Sequence, residues 1–89
     1  MPNLHLTAET VRKAKCLKGQ SSTVYYDTYI PGFLLECRPS KARTYYLRTR
    51  DKEGRLHQSE IGKASKISIK DAREMAEILS SILAIVHRD

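Results

Sequence analysis

The chain has no tryptophan and one phenylalanine, and no apolar run approaches the length needed to span a membrane. The N-terminus lacks the apolar core of a signal peptide, so a cytoplasmic chain is expected. Cysteine is scarce: Cys16 and Cys37 stand alone, and two reduced thiols are the expectation for a cytoplasmic protein. His5, His57 and His87 are scattered, and no Cys/His spacing fits a zinc site. No metal and no cofactor is therefore expected. A catalytic constellation is also missing. His57 beside Glu60 falls on the opposite strand face, which serves neither a metal nor a general base.

What is present is positive charge, unevenly placed. The 89 residues carry 16 Lys and Arg against 10 Asp and Glu, a net charge of +6. Residues 38–55, RPSKARTYYLRTRDKEGR, hold seven of those cations and two acids, Asp51 and Glu53. This stretch alone therefore carries +5. A chain with a pI near 9.6 that gathers its charge in one place is suited to a polyanion, either nucleic acid or an anionic surface. At this length there is room for one domain with one modest core.

Hydrophobic periodicity predicts an α+β domain. Residues 1–5 read as a flexible lead and 6–17 as a short helix. Thr7 caps that helix, and Leu6 and Val11 are spaced as a hydrophobic staple. Residues 23–27, TVYYD, read as a short edge strand. Ile30-Pro31-Gly32 is a turn. Residues 33–38 then alternate, with Phe33, Leu35 and Cys37 on one face and Leu34, Glu36 and Arg38 on the other. The clearest strand is 44–50: Tyr45, Leu47 and Thr49 point inward, and Tyr46, Arg48 and Arg50 outward. After the turn Asp51-Lys52-Glu53-Gly54, residues 56–61 return. His57, Ser59 and Ile61 then face inward, Gln58 and Glu60 outward, and Gly62 ends the strand. Ser68 opens the last helix, 68–87, with Asp71 at its third position. Ile69, Ala72, Ala76, Leu79, Leu83 and Val86 form one stripe. The expected architecture is a three-stranded antiparallel sheet within 23–62, with the extra edge strand, packed on the C-terminal helix.

The outward row defines the candidate site. An antiparallel ribbon fits the DNA major groove. Alternation sets Arg48 and Arg50 about 6.6 Å apart on one face, within reach of successive bases or phosphates. Gln58 on the next strand is suited to adenine. Arg38, Lys41, Arg43, Lys52 and Arg55 lie in or near turns, where cations meet phosphates and position the protein without reading sequence. Tyr46 can contact sugar or phosphate through its hydroxyl. The plain alternative for each of these residues is a solvated surface side chain. The concentration of charge opposite an apolar face is what favours binding.

The chain resembles the N-terminal arm-type DNA-binding domain of phage and integrative-element integrases, the tyrosine recombinases. The resemblance rests on Leu6-Thr7 with Val11 and Ala14-Lys15, Tyr26-Asp27, Pro31-Gly32-Phe33-Leu34-Leu35, Arg38-Pro39-Ser40, Tyr45-Tyr46-Leu47-Arg48, Ile61-Gly62, and Ser68-Ile69-Lys70-Asp71-Ala72-Arg73. It implies a sheet laid into the major groove of arm-type sites, the outer DNA sites that regulate recombination. It also implies a non-catalytic domain of a longer recombinase, with the last helix leading to the core-binding and catalytic part. The chain departs from the pattern in three ways, the first being that the family commonly has a large aromatic, often Trp, near Tyr45, and this chain has no Trp. Lys41 stands where the family often has Gly after the Pro-Ser turn. Glu36 and Glu60 fall on the DNA face, where they either accept from cytosine or pair with Arg48.

Two other readings fit parts of the sequence. A double-stranded RNA-binding module would grip phosphates with Lys66, Lys70 and Arg73. A protein-interaction module would use the last helix, with Ile78 and Ile85 contacting a further domain or a second copy.

Overall fold

The computed structural model describes residues 3–86, and side chains for residues 5–83. Its elements, in chain order, are β1 (Asn3–Leu4), α1 (Ala8–Lys13), β2 (Thr23–Asp27), β3 (Phe33–Cys37), β4 (Arg43–Arg50), β5 (Leu56–Lys63) and α2 (Ile69–Val86). The fold is α+β. Strands β2 to β5 form an antiparallel meander in sequence order, and β1 adds to β2 in parallel. The antiparallel part thus has four strands. The segment 23–27 is a full member of the sheet and is covered on its outer side by β1, so it is not the edge. Residues 3–4 of the expected flexible lead are strand, paired with Tyr26 and Asp27.

Helix α1 begins where its cap predicts. The Thr7 hydroxyl accepts from the Thr10 amide at 3.2 Å, and Thr10 Oγ1 accepts from the Thr7 amide at 2.7 Å, a reciprocal cap at both ends of the first turn. The helix ends at Lys13, earlier than residue 17, and the cause lies on another element. The Arg43 guanidinium donates to the carbonyls of Val11 at 2.5 Å and Arg12 at 2.9 Å. Those are the acceptors that residues 15 and 16 would need to continue the helix. Ala14 turns extended at φ −66°, ψ 137°.

Strand alternation sets the core. Phe33, Leu35, Cys37, Tyr45 and Leu47 are buried on the helix side together with Leu6, Val11 and Ile30. The Phe33 and Tyr45 rings stack with centroids 5.7 Å apart. From α2, Ala72 and Ala76 are fully buried. Their small side chains bring the helix close to the sheet, and Ile69, Leu79 and Leu83 pack around them. Ser68 caps this helix, its hydroxyl accepting from the Asp71 amide at 3.1 Å. Burial pushes the Cys37 thiol up to about 11.

Gly62 does not end β5. Tyr45 pairs with Gly62 while Tyr46 pairs with Glu60, which leaves Ile61 as the extra residue of a bulge. The strand runs on to Lys63. His57 and Ser59 share the register of Thr49 and Leu47, as parity requires, but neither is core: His57 is exposed and Ser59 only half-buried.

One buried acid joins the chain's beginning to its end. Asp27 Oδ1 accepts from the Leu6 amide at 3.0 Å, and Oδ2 from the Ile30 amide at 3.0 Å. Arg73 of α2 lies 3.4 Å from the same Oδ1 and also donates to the Leu6 carbonyl at 2.5 Å. Four segments meet at this one carboxylate: the N-terminal lead, β2, the turn before β3, and α2.

Candidate nucleic-acid interface

The sheet face away from α2 is built from alternate residues of four strands. Register brings Tyr26, Leu34, Tyr46 and Glu60 into one cross-strand row, and Arg48 opposite Gln58 into the next. Leu34 is fully buried here, although it points away from the main core. Its direct cross-strand neighbours are Tyr26 and Tyr46, and antiparallel partners bring such side chains within contact range. The centre of the face is thus a leucine covered by two tyrosines, not a purely polar surface.

Arg48 is held in place. Its Nε and Nη2 donate to Gln58 Oε1 at 2.9 and 2.6 Å. Its Nη1 donates to the Tyr26 hydroxyl, and its guanidinium carbon lies 5.7 Å from the Tyr26 ring centroid. Tyr26 thereby joins the candidate site, although the sequence places it only in a strand and in the Tyr26-Asp27 element of the resemblance. The signal was available, because parity in 23–27 puts Val24 and Tyr26 on the outward face, but it needs the β2–β3 register to bring Tyr26 near Arg48.

The remaining cations are distributed around this centre. Arg50 Nη1 donates to the Gly54 carbonyl at 2.8 Å and so folds back onto its own turn. Arg55 pairs with Asp51 at 3.0 Å and Glu53 at 2.7 Å. Lys52 is exposed in the same turn. At the opposite end of the hairpin, Arg38 and Lys41 are exposed in the β3–β4 turn. Arg43 lies on the other face, against α1, and is not brought together with Arg48. Gln58 is exposed beside Arg48.

The two acids on this face take different places. Glu36 pairs with Arg38 Nε at 3.1 Å, not with Arg48. Glu60 is exposed opposite Tyr46. Partial burial, reinforced by the Glu36 and Glu60 charges, raises the Tyr46 phenol above its ordinary value and keeps it a neutral hydroxyl. Asp51 organises the β4–β5 turn. Its Oδ1 accepts from the Glu53 and Arg55 amides, both at 2.9 Å, and its Oδ2 lies 2.9 Å from His57 Nε2. The hydrogen bond to His57, followed by those from the Arg55 and Glu53 amides and the Arg55 side chain, holds its carboxyl well below the usual carboxylate range.

Among the described residues, no group of three or more His, Cys, Asp or Glu is arranged to hold a metal ion, and no helix is long and apolar enough to cross a membrane. The open face of this four-stranded antiparallel sheet, backed by one helix, thus carries a basic and aromatic row built from Tyr26, Tyr46, Arg48 and Gln58. The family model of the Arm DNA-binding domain matches residues 6–85. The chain belongs to that family, the arm-type DNA-binding domains found in phage integrases. No curated protein matches it.

Proposed function

We propose that this domain binds duplex DNA sequence-specifically, by laying the open face of β2–β5 into the major groove of arm-type sites. The parent protein is then a tyrosine recombinase that integrates and excises DNA. In this reading Tyr46, Arg48, Arg50 and Gln58 approach base edges. Arg38, Lys41, Lys52 and Arg55, at the two ends of the hairpin, meet phosphates. Arg43 contributes by fixing α1 beside the Lys41 turn. The observation that carries the reading is Arg48. It stands in the row next to Leu34 on the face opposite the helix and is held by hydrogen bonds to neighbours on β2 and β5, as a base-reading side chain needs to be.

A second reading is favoured by α2. Met75, Ile78 and Ile82 are exposed at 45%, 62% and 50%, in a row along the helix. They are proposed to face the rest of the recombinase or a second copy. Ile85, expected to extend this row, lies outside the residues whose side chains are described.

A salt titration of binding to mixed-sequence duplex separates the two readings. Phosphate neutralisation makes the logarithm of affinity fall linearly with the logarithm of salt concentration, by a slope of about −0.9 per phosphate contacted. A slope of about −3 or steeper supports the sheet reading. Absence of duplex binding, with self-association that survives high salt, supports an interaction module in its place.

A further inference from the structure

Arg48 and Gln58 face one another across β4 and β5, and their hydrogen bonding fixes what each can offer outward. A guanidinium has donors only, so the Gln58 atom that meets Nε and Nη2 is its oxygen. That oxygen is occupied twice. The amide nitrogen, with two N–H groups, is the part of Gln58 turned away from Arg48. Arg48 in turn has spent three of its five N–H groups, two on Gln58 and one on Tyr26, which leaves one on each terminal nitrogen. Both side chains therefore present donors to whatever lies over this part of the sheet.

We propose that Arg48 and Gln58 form a donor-only reader of major-groove acceptors. Guanine, with N7 and O6, fits Arg48. A keto base, guanine or thymine, fits the Gln58 amide beside it. Adenine is rejected at the Gln58 position. A glutamine reads adenine bidentately by donating to N7 and accepting from the N6 amino group, and the accepting oxygen is already committed to Arg48. The sequence alone makes Gln58 an adenine reader; its geometry reverses that preference. The proposal rests on the reading of this face as the DNA-contacting one.

Selection from a pool of random duplexes, followed by sequencing of the retained fraction, tests both levels. The parent domain is expected to enrich guanine at one position and guanine or thymine at its neighbour, with adenine depleted there on the order of tenfold. Gln58→Glu keeps an acceptor for Arg48 but loses the outward donor. It is expected to retain the guanine and to shift the neighbour toward cytosine or adenine, whose amino groups donate. Enrichment of adenine beside the guanine by the parent domain overturns the proposal and leaves DNA binding standing. Retention of duplex with no base preference also overturns it. Failure to retain any duplex overturns the DNA-binding reading itself. The parent domain's pool decides the matter even if the variant does not fold.

Discussion

The carbonyl of Gly32 accepts the amide hydrogen of Arg48 at 2.8 Å, which ties the Ile30-Pro31-Gly32 turn to the middle of β4. Gly32 sits at φ 84°, and a β-carbon added there would overlap the Arg48 carbonyl oxygen. Both features demand glycine. Gly32→Ala is expected to cost about 2–4 kcal/mol, from left-handed backbone strain plus a clash with backbone that has no rotamer to yield. Urea unfolding checks this. Because the clash bears on Arg48, DNA affinity of the folded fraction is expected to drop as well. An unchanged midpoint would show that the turn relaxes freely.

Lys41 adopts φ 72° in the β3–β4 turn, the left-handed region that glycine enters without steric cost. This accounts for the departure noted at that position: the backbone demands what a glycine supplies. Lys41→Gly is expected to stabilise the domain by about 0.5–1 kcal/mol, the relief of strain less the entropy a glycine loses on folding. The same change is expected to weaken DNA binding modestly and to make its salt dependence shallower by about one contact. Denaturation and binding measured on the one variant separate the two effects.

Asp27 and Arg73 form the junction of four segments. Asp27→Asn replaces one carboxylate oxygen by an amino group. With a single accepting oxygen left, the side chain cannot accept from both the Leu6 and Ile30 amides, and Arg73 loses its counter-charge. Leaving such groups buried and unpaired costs about 2–4 kcal/mol. Thermal unfolding is expected to show this loss, and hydrogen exchange at Leu6 and Ile30 is expected to accelerate together. Loss of stability without faster exchange at both amides would place the damage elsewhere.

The Asp51 carboxyl, held low by His57 and the turn amides, gives the β4–β5 turn a defined acid response. A depressed folded-state value contributes stability above the unfolded carboxylate's pKa, and that contribution is lost as pH falls through the folded-state value. Asp51→Asn is therefore expected to be less stable than the parent at neutral pH. The gap between them is expected to begin closing below about pH 4, where the unfolded carboxylate takes up its proton. It closes fully only in strong acid. A gap that stays constant from neutral pH to strong acid would mean that the carboxylate charge does not hold the turn.

Much of this fold is legible in the sequence because its strands alternate cleanly. Phe33, Leu35, Tyr45 and Leu47 are core, and Arg48 and Gln58 are outward, on parity alone. What parity cannot deliver is anything that depends on register between strands. Leu34 has outward parity, yet it is fully buried because Tyr26 and Tyr46 arrive on both sides of it. Ile61 has inward parity but sits in a bulge, and this also carries β5 past Gly62. Arg43 belongs by sequence to the basic run, yet its guanidinium ends a helix 31 residues earlier. The hydrogen bonds of Arg48 required Tyr26 and Gln58, on two different strands, to be placed at once.

The central claim is that the open face of the sheet, and Arg48 within it, holds DNA. Affinity for duplex at one fixed salt concentration tests it most directly, comparing the parent with Arg48→Ala/Arg50→Ala and with Lys66→Ala/Lys70→Ala. Both double variants remove two positive charges, so the general attraction to DNA falls equally. Loss of roughly a hundredfold or more in the first, against about threefold or less in the second, is expected if the sheet enters the groove. A larger loss in the second, or tighter binding of the parent to an RNA duplex than to DNA, contradicts it.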